Sequence, residues 1–435
     1  MISTPVAALL ARRNIHYGWV VVAVTFLTML VTAAAVGAPG VLIVPLEKEF
    51  GWETEQIATA FSIRLLLFGL MGPFAAAFMN YFGVRRVVCV ALILITTGLF
   101  ASLAMTRIWE LVLLWGILVG LGTGLTAMVL GATVATRWFT DRRGLVLGML
   151  TASSATGQLV FMPLMASLSE TYGWRTAIML ICAMLLVAVV GVFFLMRDRP
   201  SDVGLPAYGD KDVATTVAVT GGLLSLITMP LLALKEASRR SSTFWVLFAT
   251  FFVCGASTNG LIGTHFVALC GDYGLAAVGA ASVLAMMGFF DFFGTIGSGW
   301  LSDRVDNRWL LFWYYCLRGL SLLYLPYSDF SFYGLSLFAM FYGLDWIATV
   351  PPTVKLASER FGREKAGLVF GWIFAGHQLG AASAAYGGGF VRTEYATYLP
   401  AFLVAGILCL IAAFLVLTLS KQSKDDAVRE PAPAS

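Results

Sequence analysis

Charge is what this 435-residue sequence has least of: 12% of its residues are Asp, Glu, Lys or Arg, against roughly 25% in an ordinary soluble domain. With 59% hydrophobic residues and a mean hydropathy of +0.85, the composition excludes a soluble globular enzyme, a disordered tail protein and a nucleic-acid binder. Histidine is rarer still, with three residues, and none of the six cysteines sits in a CxxC or Cys/His pattern. No metal site and no cofactor are therefore expected, and the cysteines read as small apolar filler. The ten-residue alternation of a membrane-spanning barrel is missing as well. What the chain does have is long, continuously apolar runs. At roughly 20 apolar residues per crossing, its length allows about a dozen.

Twelve such runs fall at about 17–46, 54–80, 86–105, 109–137, 144–169, 174–196, 243–270, 275–301, 308–326, 330–357, 366–391 and 395–420. They read as helices, because a lipid-spanning segment must satisfy its own backbone. Arg12 and Arg13 precede the first run, which is too long for a cleaved signal and reads as a retained span. With both termini inside, 21 Lys/Arg fall in inner loops and tails, four (Lys48, Arg107, Arg175, Arg392) outside and three within spans. This asymmetry predicts cytoplasmic termini. The break at 197–242 splits the helices six and six. It reads as a cytoplasmic linker whose apolar stretch, Leu223 to Leu234, is too short to cross and suits the membrane surface.

The halves repeat. One offset of 223 residues pairs Arg85 with Arg308, Gly120-Leu121 with Gly343-Leu344, Arg137 with Arg360, Gly144-Leu145-Val146-x-Gly148 with Gly367-Leu368-Val369-x-Gly371, and Gly157 with Gly380. An even number of helices per half makes this a parallel repeat, a pattern of secondary transporters that bind substrate between the repeats near mid-membrane.

At the end of the eighth run stands Gly299-Trp300-Leu301-Ser302-Asp303-Arg304-Val305-Asp306-Asn307-Arg308. It resembles the G-x-L-x-D-R-x-x-x-R loop of the major facilitator superfamily, and Ala76, Asn80, Gly83, Arg85 and Arg86 are its first-half counterpart. A carboxylate at a helix end can latch an arginine or a neighbouring helix N-terminus. Asn80, Arg85, Asp303, Arg304 and Arg308 are thus candidate gating residues, with a neutral acceptor, Asn80, in the first half. Trp138-Phe139-Thr140-Asp141-Arg142-Arg143-Gly144, Tyr172-Gly173-Trp174-Arg175 and His16-Tyr17-Gly18-Trp19 resemble the branch of monocarboxylate transporters and oxalate/formate antiporters. Gly157 and Pro163 stand too far apart for the Gly-Pro signature of drug exporters. The resemblance implies that helices 1, 4, 7 and 10 line a cavity, that 2, 5, 8 and 11 flank the interface between halves, and that 3, 6, 9 and 12 lie outside. It also implies a helix 8 aspartate, matched by Asp291. The arginine that follows it by four in the family is Thr295 here, and helix 1 lacks the family's lysine.

Ionisable groups at membrane depth cost about 2.5–3.5 kcal/mol each and mark function by default. At 1.5 Å per residue, Asp291 lies ~18 Å from the Asp303 loop and Arg64 ~24 Å from Asn80. Arg318, Asp345 and His377 are also deep, and two charges of each sign suggest pairing. Arg64 and His377 are expected to bind the anionic end of a substrate, with Asn259, Gln158 and Trp346 as further contacts. Asp291 is expected across the cavity, near helix 5 with Ser154 and Gln158, carrying the proton. Asp345 and Arg318 are either partners in that step or an ion pair locking helix 9 to helix 10. His265 either faces the cavity or caps a backbone break. Asn259 and Gly260 interrupt helix 7, as Gly37, Pro39 and Gly40 interrupt helix 1. Trp372, Phe374, Tyr342 and Trp346 are candidate apolar walls, of which one or two contacts are expected, and Gly116, Gly120, Gly122 and Gly124 read as close packing on helix 4.

The expectation is an all-α membrane protein, twelve transmembrane helices in two pseudo-symmetric six-helix bundles of the major facilitator fold. Its parts are 1–196, a linker 197–242, 243–420 and a tail 421–435. The function expected is proton-coupled transport, by alternating access, of a small organic anion such as a monocarboxylate. The setting is the plasma (cell inner) membrane and the protein a monomer with no nucleic-acid partner. The alternative is a carrier of larger amphipathic or aromatic compounds. A non-transporting sensor is disfavoured because the linker of about 45 residues holds no output domain, and an enzyme because no nucleophile–base pair stands out.

Overall fold

The computed structural model describes residues 12–13, 15–126, 128–210, 212, 224–361 and 363–420. Among them there is no strand, and one isolated bridge joins Phe139 to Tyr208. Twelve helical spans follow the apolar runs. Span 1 is Gly18–Gly37 continued by Pro39–Phe50. Spans 2 and 3 are Thr54–Phe82 and Val84–Ser102. Span 4 passes from Ile108–Leu111 through a widened, π-helical turn at Val112–Val119 to Gly120–Leu125 and Met128–Trp138. Spans 5 and 6 are Arg143–Tyr172 and Trp174–Leu195. Span 7 is Ser242–Gly255, a π-helical Ala256–Ile262 and Gly263–Asp272. Spans 8 and 9 are Ala277–Ser302 and Asn307–Tyr324. Span 10 is broken into Phe332–Leu344 and Val350–Phe361, and spans 11 and 12 are Arg363–Tyr395 and Leu399–Leu417.

Among the described residues, eight of the spans are long and apolar enough to cross a membrane by length and composition. Spans 9 and 10 fall short of that measure, span 9 carrying Arg318 and span 10 the break at Asp345. Span 2 runs along span 11 and span 5 along span 8, which joins the halves. Span 9 packs on span 12 and span 3 on span 6, as the resemblance implies for peripheral helices.

Glycines set how closely the helices approach, and they do so twice. A Cβ on Gly157 would sit 2.9 Å from the Leu30 carbonyl of span 1, and one on Gly380 would collide with the Phe252 carbonyl of span 7. A Cβ on Gly120 would lie 3.1 Å from Arg64 Cα, and one on Gly343 2.6 Å from the Met287 carbonyl. Arg64 and Met287 are themselves 223 residues apart. The offset read from the sequence is thus a packing repeat, with spans 1–5 matched by 7–11 and 4–2 by 10–8.

The expected surface stretch is a helix, Ser225–Arg240, longer than its apolar core suggested. It lies against spans 2 and 11, held where Trp372 Nε1 donates to the Pro230 carbonyl at 2.8 Å, while Leu224, Ile227, Met229 and Leu232 stay exposed. This end of the molecule is the linker face. There the aromatic motifs of spans 1 and 4 meet: Tyr17 packs 6.0 Å from Trp138 and Trp19 5.2 Å from Phe139, ring to ring. The chain after span 6 returns to them through the Tyr208 N–H, which donates to Trp138 O at 2.8 Å. At the opposite face the halves are tied by hydrogen bonds. Tyr386 Oη donates to Glu55 at 2.8 Å, the Glu55 N–H to Thr393 Oγ1 at 3.3 Å, and the Ala277 N–H to Glu170 at 2.9 Å.

Candidate functional site

Between the halves, at mid-depth, lies a cavity of two lobes that share Val36, Asn259 and Trp346. The smaller, about 30 Å³, is nearer the opposite face and contains Arg64 and Thr264. The larger, about 170 Å³, is lined by Phe68, Phe251, Phe374, Thr258, His377 and Gln378 among others. The elements that shape it are the irregular ones. The π-helical turn of span 7 turns Asn259 inward, and the break in span 10 does the same for Trp346. Irregular backbone at membrane depth is tolerated where it is buried in protein or lines a cavity.

Arg64 is 2% exposed, and its Nε and Nη1 have no hydrogen-bond partner. A guanidinium buried without a counter-charge is costly, and the group that relieves it must come from the cavity. Gln378 is fully buried with both amide atoms unpartnered, and His377 Nδ1 is unpartnered too. Four expected contacts, Arg64, Asn259, Trp346 and His377, are therefore brought together. The side chain of Gln158, like that of Ser154, lies outside the described residues. Gln378 is not among the expected contacts, although its signal, an amide inside an apolar span, is the one that Asn259 and Gln158 carry.

The other buried charges form a separate cluster. Arg318 Nε donates to Asp345 Oδ2 at 2.8 Å, its Nη2 to the carbonyls of Asp345 and Trp346 at 2.5 and 3.1 Å, and its Nη1 lies 2.8 Å from Cys254 Sγ. Asp291 Oδ1 accepts from the Ile347 N–H at 2.8 Å and from Thr295 Oγ1 at 3.0 Å, and Ser298 donates to Ala348 O at 2.5 Å. These side chains meet the backbone groups that the break in span 10 frees. Asp291 thus lies against span 10, a neighbour not expected for it, while Gln158 and Ser154, its expected neighbours on span 5, have side chains outside the described residues. The break leaves an N–H in need of an acceptor and is not visible in the apolar pattern. Thr295, at the family's arginine position, bonds Asp291, and the cluster's guanidinium comes from span 9 instead. Asp345 keeps Oδ1 without a partner.

His265 does not face the cavity; its Nε2 pairs with the Ala385 carbonyl of span 11 at 2.7 Å. Of the four aromatic candidates, Trp346 and Phe374 line the cavity. Tyr342 instead donates to Ser257 O at 2.8 Å, and Trp372 holds the linker helix.

The gating loops form contacts inside each half. Arg137 Nη2 donates to Asn80 Oδ1, the neutral acceptor of the first-half loop, at 2.5 Å. The acid of this loop is Asp198, whose Oδ1 accepts from the Arg85 N–H at 2.8 Å. It thereby caps the N-terminus of span 3 after Gly83, whose φ of +88° suits glycine. In the second half Asp303 pairs with Lys355 of span 10 at 3.1 Å, not with an arginine. Arg308 pairs with Asp306 at 2.7 Å and reaches Leu419 O, and Arg304 stacks on Trp300 at 4.1 Å.

A family model described as Major Facilitator Superfamily matches residues 25–385 and 272–434. Rat "Monocarboxylate transporter 13" is 26% identical over 93% of this chain and 89% of its own length. Human "Monocarboxylate transporter 11" is 27% identical over 93% and 83%, and a Bacillus subtilis (strain 168) "Uncharacterized MFS-type transporter YcxA" 22% over 80% and 81%. The crystal structure of a D-xylose-proton symporter superposes with a TM-score of 0.71 at 15% identity, over 94% of this chain and 99% of that one.

Proposed function

We propose, from the premise that this chain belongs to the Major Facilitator Superfamily, that it carries a small organic anion across the membrane together with protons. Membership makes it a multi-pass transporter of small molecules and not an enzyme. The observation that carries the anion reading is Arg64, a buried cation whose Nε and Nη1 have no partner among the described residues, facing the space between the halves. A carboxylate is the group its planar fork fits best. The monocarboxylate names of the relatives point the same way.

Support for the proton comes from charge counting in the cluster. Asp291 and Asp345 accompany one guanidinium, Arg318, among groups that are all under 5% exposed. With one proton shared between the two carboxylates the cluster is neutral; without it, one negative charge is left in a dry interior, which is unfavourable. Trp346 connects the two sites. Its side chain lines both lobes, its carbonyl is held by Arg318, and its neighbour's N–H is held by Asp291. A proton arriving at Asp291 weakens the bond to Ile347 and frees the segment that carries Trp346.

In this reading the linker face is cytoplasmic, both termini are inside, and a monomer works in the plasma (cell inner) membrane. The halves 1–196 and 243–420 rock about the cavity, joined by the linker 197–242. The positive-inside bias supports this orientation. Opening to the outside breaks the ties at Glu55 and Glu170, and opening to the inside preserves them.

The test separates binding from coupling. In proteoliposomes Asp291→Asn is expected to abolish accumulation driven by a pH gradient while exchange of labelled for unlabelled acid continues, and Arg64→Gln is expected to abolish both. Unaltered accumulation in Asp291→Asn removes that residue from the proton step. A second reading, a carrier of larger amphipathic compounds, draws on the aromatic lining of the larger lobe.

A further inference from the structure

The unpartnered polar atoms of the cavity are not scattered, and their order constrains the ligand. Arg64, the one arginine or lysine among the described residues that line either lobe, sits in a lobe of about 30 Å³, room for a carboxylate or about two waters. Five residues further along span 2, about 7.5 Å toward the linker face, Gly69 packs directly on the Gln378 side chain, 2.9 Å from its Cγ to where a Cβ would be. Gln378 presents an unpartnered donor and an unpartnered acceptor there. The larger lobe, which Gln378 itself lines, is walled by Phe68, Phe251, Phe374 and the shared Trp346. From the opposite face toward the linker face, the site therefore offers the Arg64 cation, the Asn259 amide shared by both lobes, and then the buried Gln378 amide and His377 ring in an aromatic-lined space.

Resting on the organic-anion reading, we infer that the substrate is a monocarboxylate with an aryl-sized apolar body and, a few bonds from its carboxylate, one group that both donates and accepts a hydrogen bond. It binds with the carboxylate at Arg64 and the body in the larger lobe, and Gln378 reads the hydroxyl or amide between them. A group that only accepts leaves the Gln378 carbonyl unpaired, and an acid without such a group leaves the whole amide unpaired, which a buried site penalises. A second carboxylate has no arginine or lysine to meet and is rejected for the same reason. Two- and three-carbon acids satisfy Arg64 but leave the larger lobe to water against aromatic faces, forfeiting most of the apolar contribution. Preference is thus for one charge with a large body, which unites features that otherwise point to different substrate classes.

Titration of the purified full-length protein in detergent, followed by thermal stabilisation, tests this with five probes: lactate, 3-phenylpropanoate, 2-hydroxy-3-phenylpropanoate, phenylsuccinate and 2-phenylethanol. The hydroxy acid is expected to bind about tenfold more tightly than 3-phenylpropanoate and about a hundredfold more tightly than lactate, with phenylsuccinate and 2-phenylethanol far weaker. In Gln378→Leu the preference for the hydroxy acid over 3-phenylpropanoate is expected to fall to within about twofold of parity, and Gln378→Asn, which keeps an amide, to retain part of it. Lactate binding as tightly as the aryl acids, an undiminished preference in Gln378→Leu, or no binding of either aryl acid overturns the inference; the first two leave the anion reading standing. 2-Phenylethanol binding as tightly as the acids overturns the anion reading itself.

Discussion

Arg64 carries a buried charge that no described residue of the folded protein neutralises. Such a group is kept at the expense of stability, so its removal is expected to separate stability from function. Arg64→Gln is expected to raise the thermal midpoint of the substrate-free protein, since an uncompensated buried charge is lost, and to abolish stabilisation by acids. A lowered midpoint would mean that Arg64 has a partner that holds helices together. Arg64, Asn259, His377 and Trp346 were legible as a group because polar residues are rare inside these apolar runs, and rarity locates them without any knowledge of geometry. Gln378 was just as visible by that criterion, being an amide like Asn259. The place of Asp291 was not legible, because its partner is a backbone N–H exposed by a break that no single residue announces.

Span 10 shows what that break requires. Over 345–349 the helix lapses into turns, and Arg318, Asp291 and Ser298 bond the carbonyls and N–H it releases. Close glycine packing makes this possible: a Cβ on Gly294 of span 8 would strike the Leu344 carbonyl, so the two helices approach closely enough for Asp291 to reach Ile347. Arg318→Met leaves Asp345 and two carbonyls unpaired, and is expected to cost about 3–5 kcal/mol in denaturant unfolding. Arg318→Met combined with Asp345→Leu is expected to recover part of that loss, giving a coupling energy of at least about 1 kcal/mol in the double-mutant cycle, without recovering gradient-driven transport. Strict additivity would show that the pair does not act as a unit. Helix boundaries were legible to within a few residues for most spans. The π-helical turns and the break were only hinted at, by Asn259-Gly260 and by Asp345, because an irregular turn is chosen by what its neighbours can hydrogen-bond.

At the level of the whole molecule, the twofold repeat was readable, since an offset of 223 residues depends on sequence alone. Which face is closed was not readable, because that is decided by contacts between residues hundreds of positions apart: Glu55 with Tyr386 and Thr393, and Glu170 with Ala277. Replacing both glutamates by glutamine weakens those ties. Labelling of Val36→Cys by an impermeant thiol reagent from the opposite face is then expected to quicken about fivefold over the same protein with both glutamates intact. An unchanged rate would place the closure elsewhere, in the packing of Gly40 against the Gly263 carbonyl.

The most direct measurement is uphill uptake: a panel of labelled monocarboxylates, offered to proteoliposomes with and without an acid-outside pH gradient and corrected for protein-free liposomes. The account expects at least one aryl monocarboxylate to accumulate above its equilibrium level only while the gradient lasts, and to run out when a protonophore collapses it. Uptake of neutral amphipathic compounds with no movement of any acid, or acid uptake indifferent to the gradient, would contradict it.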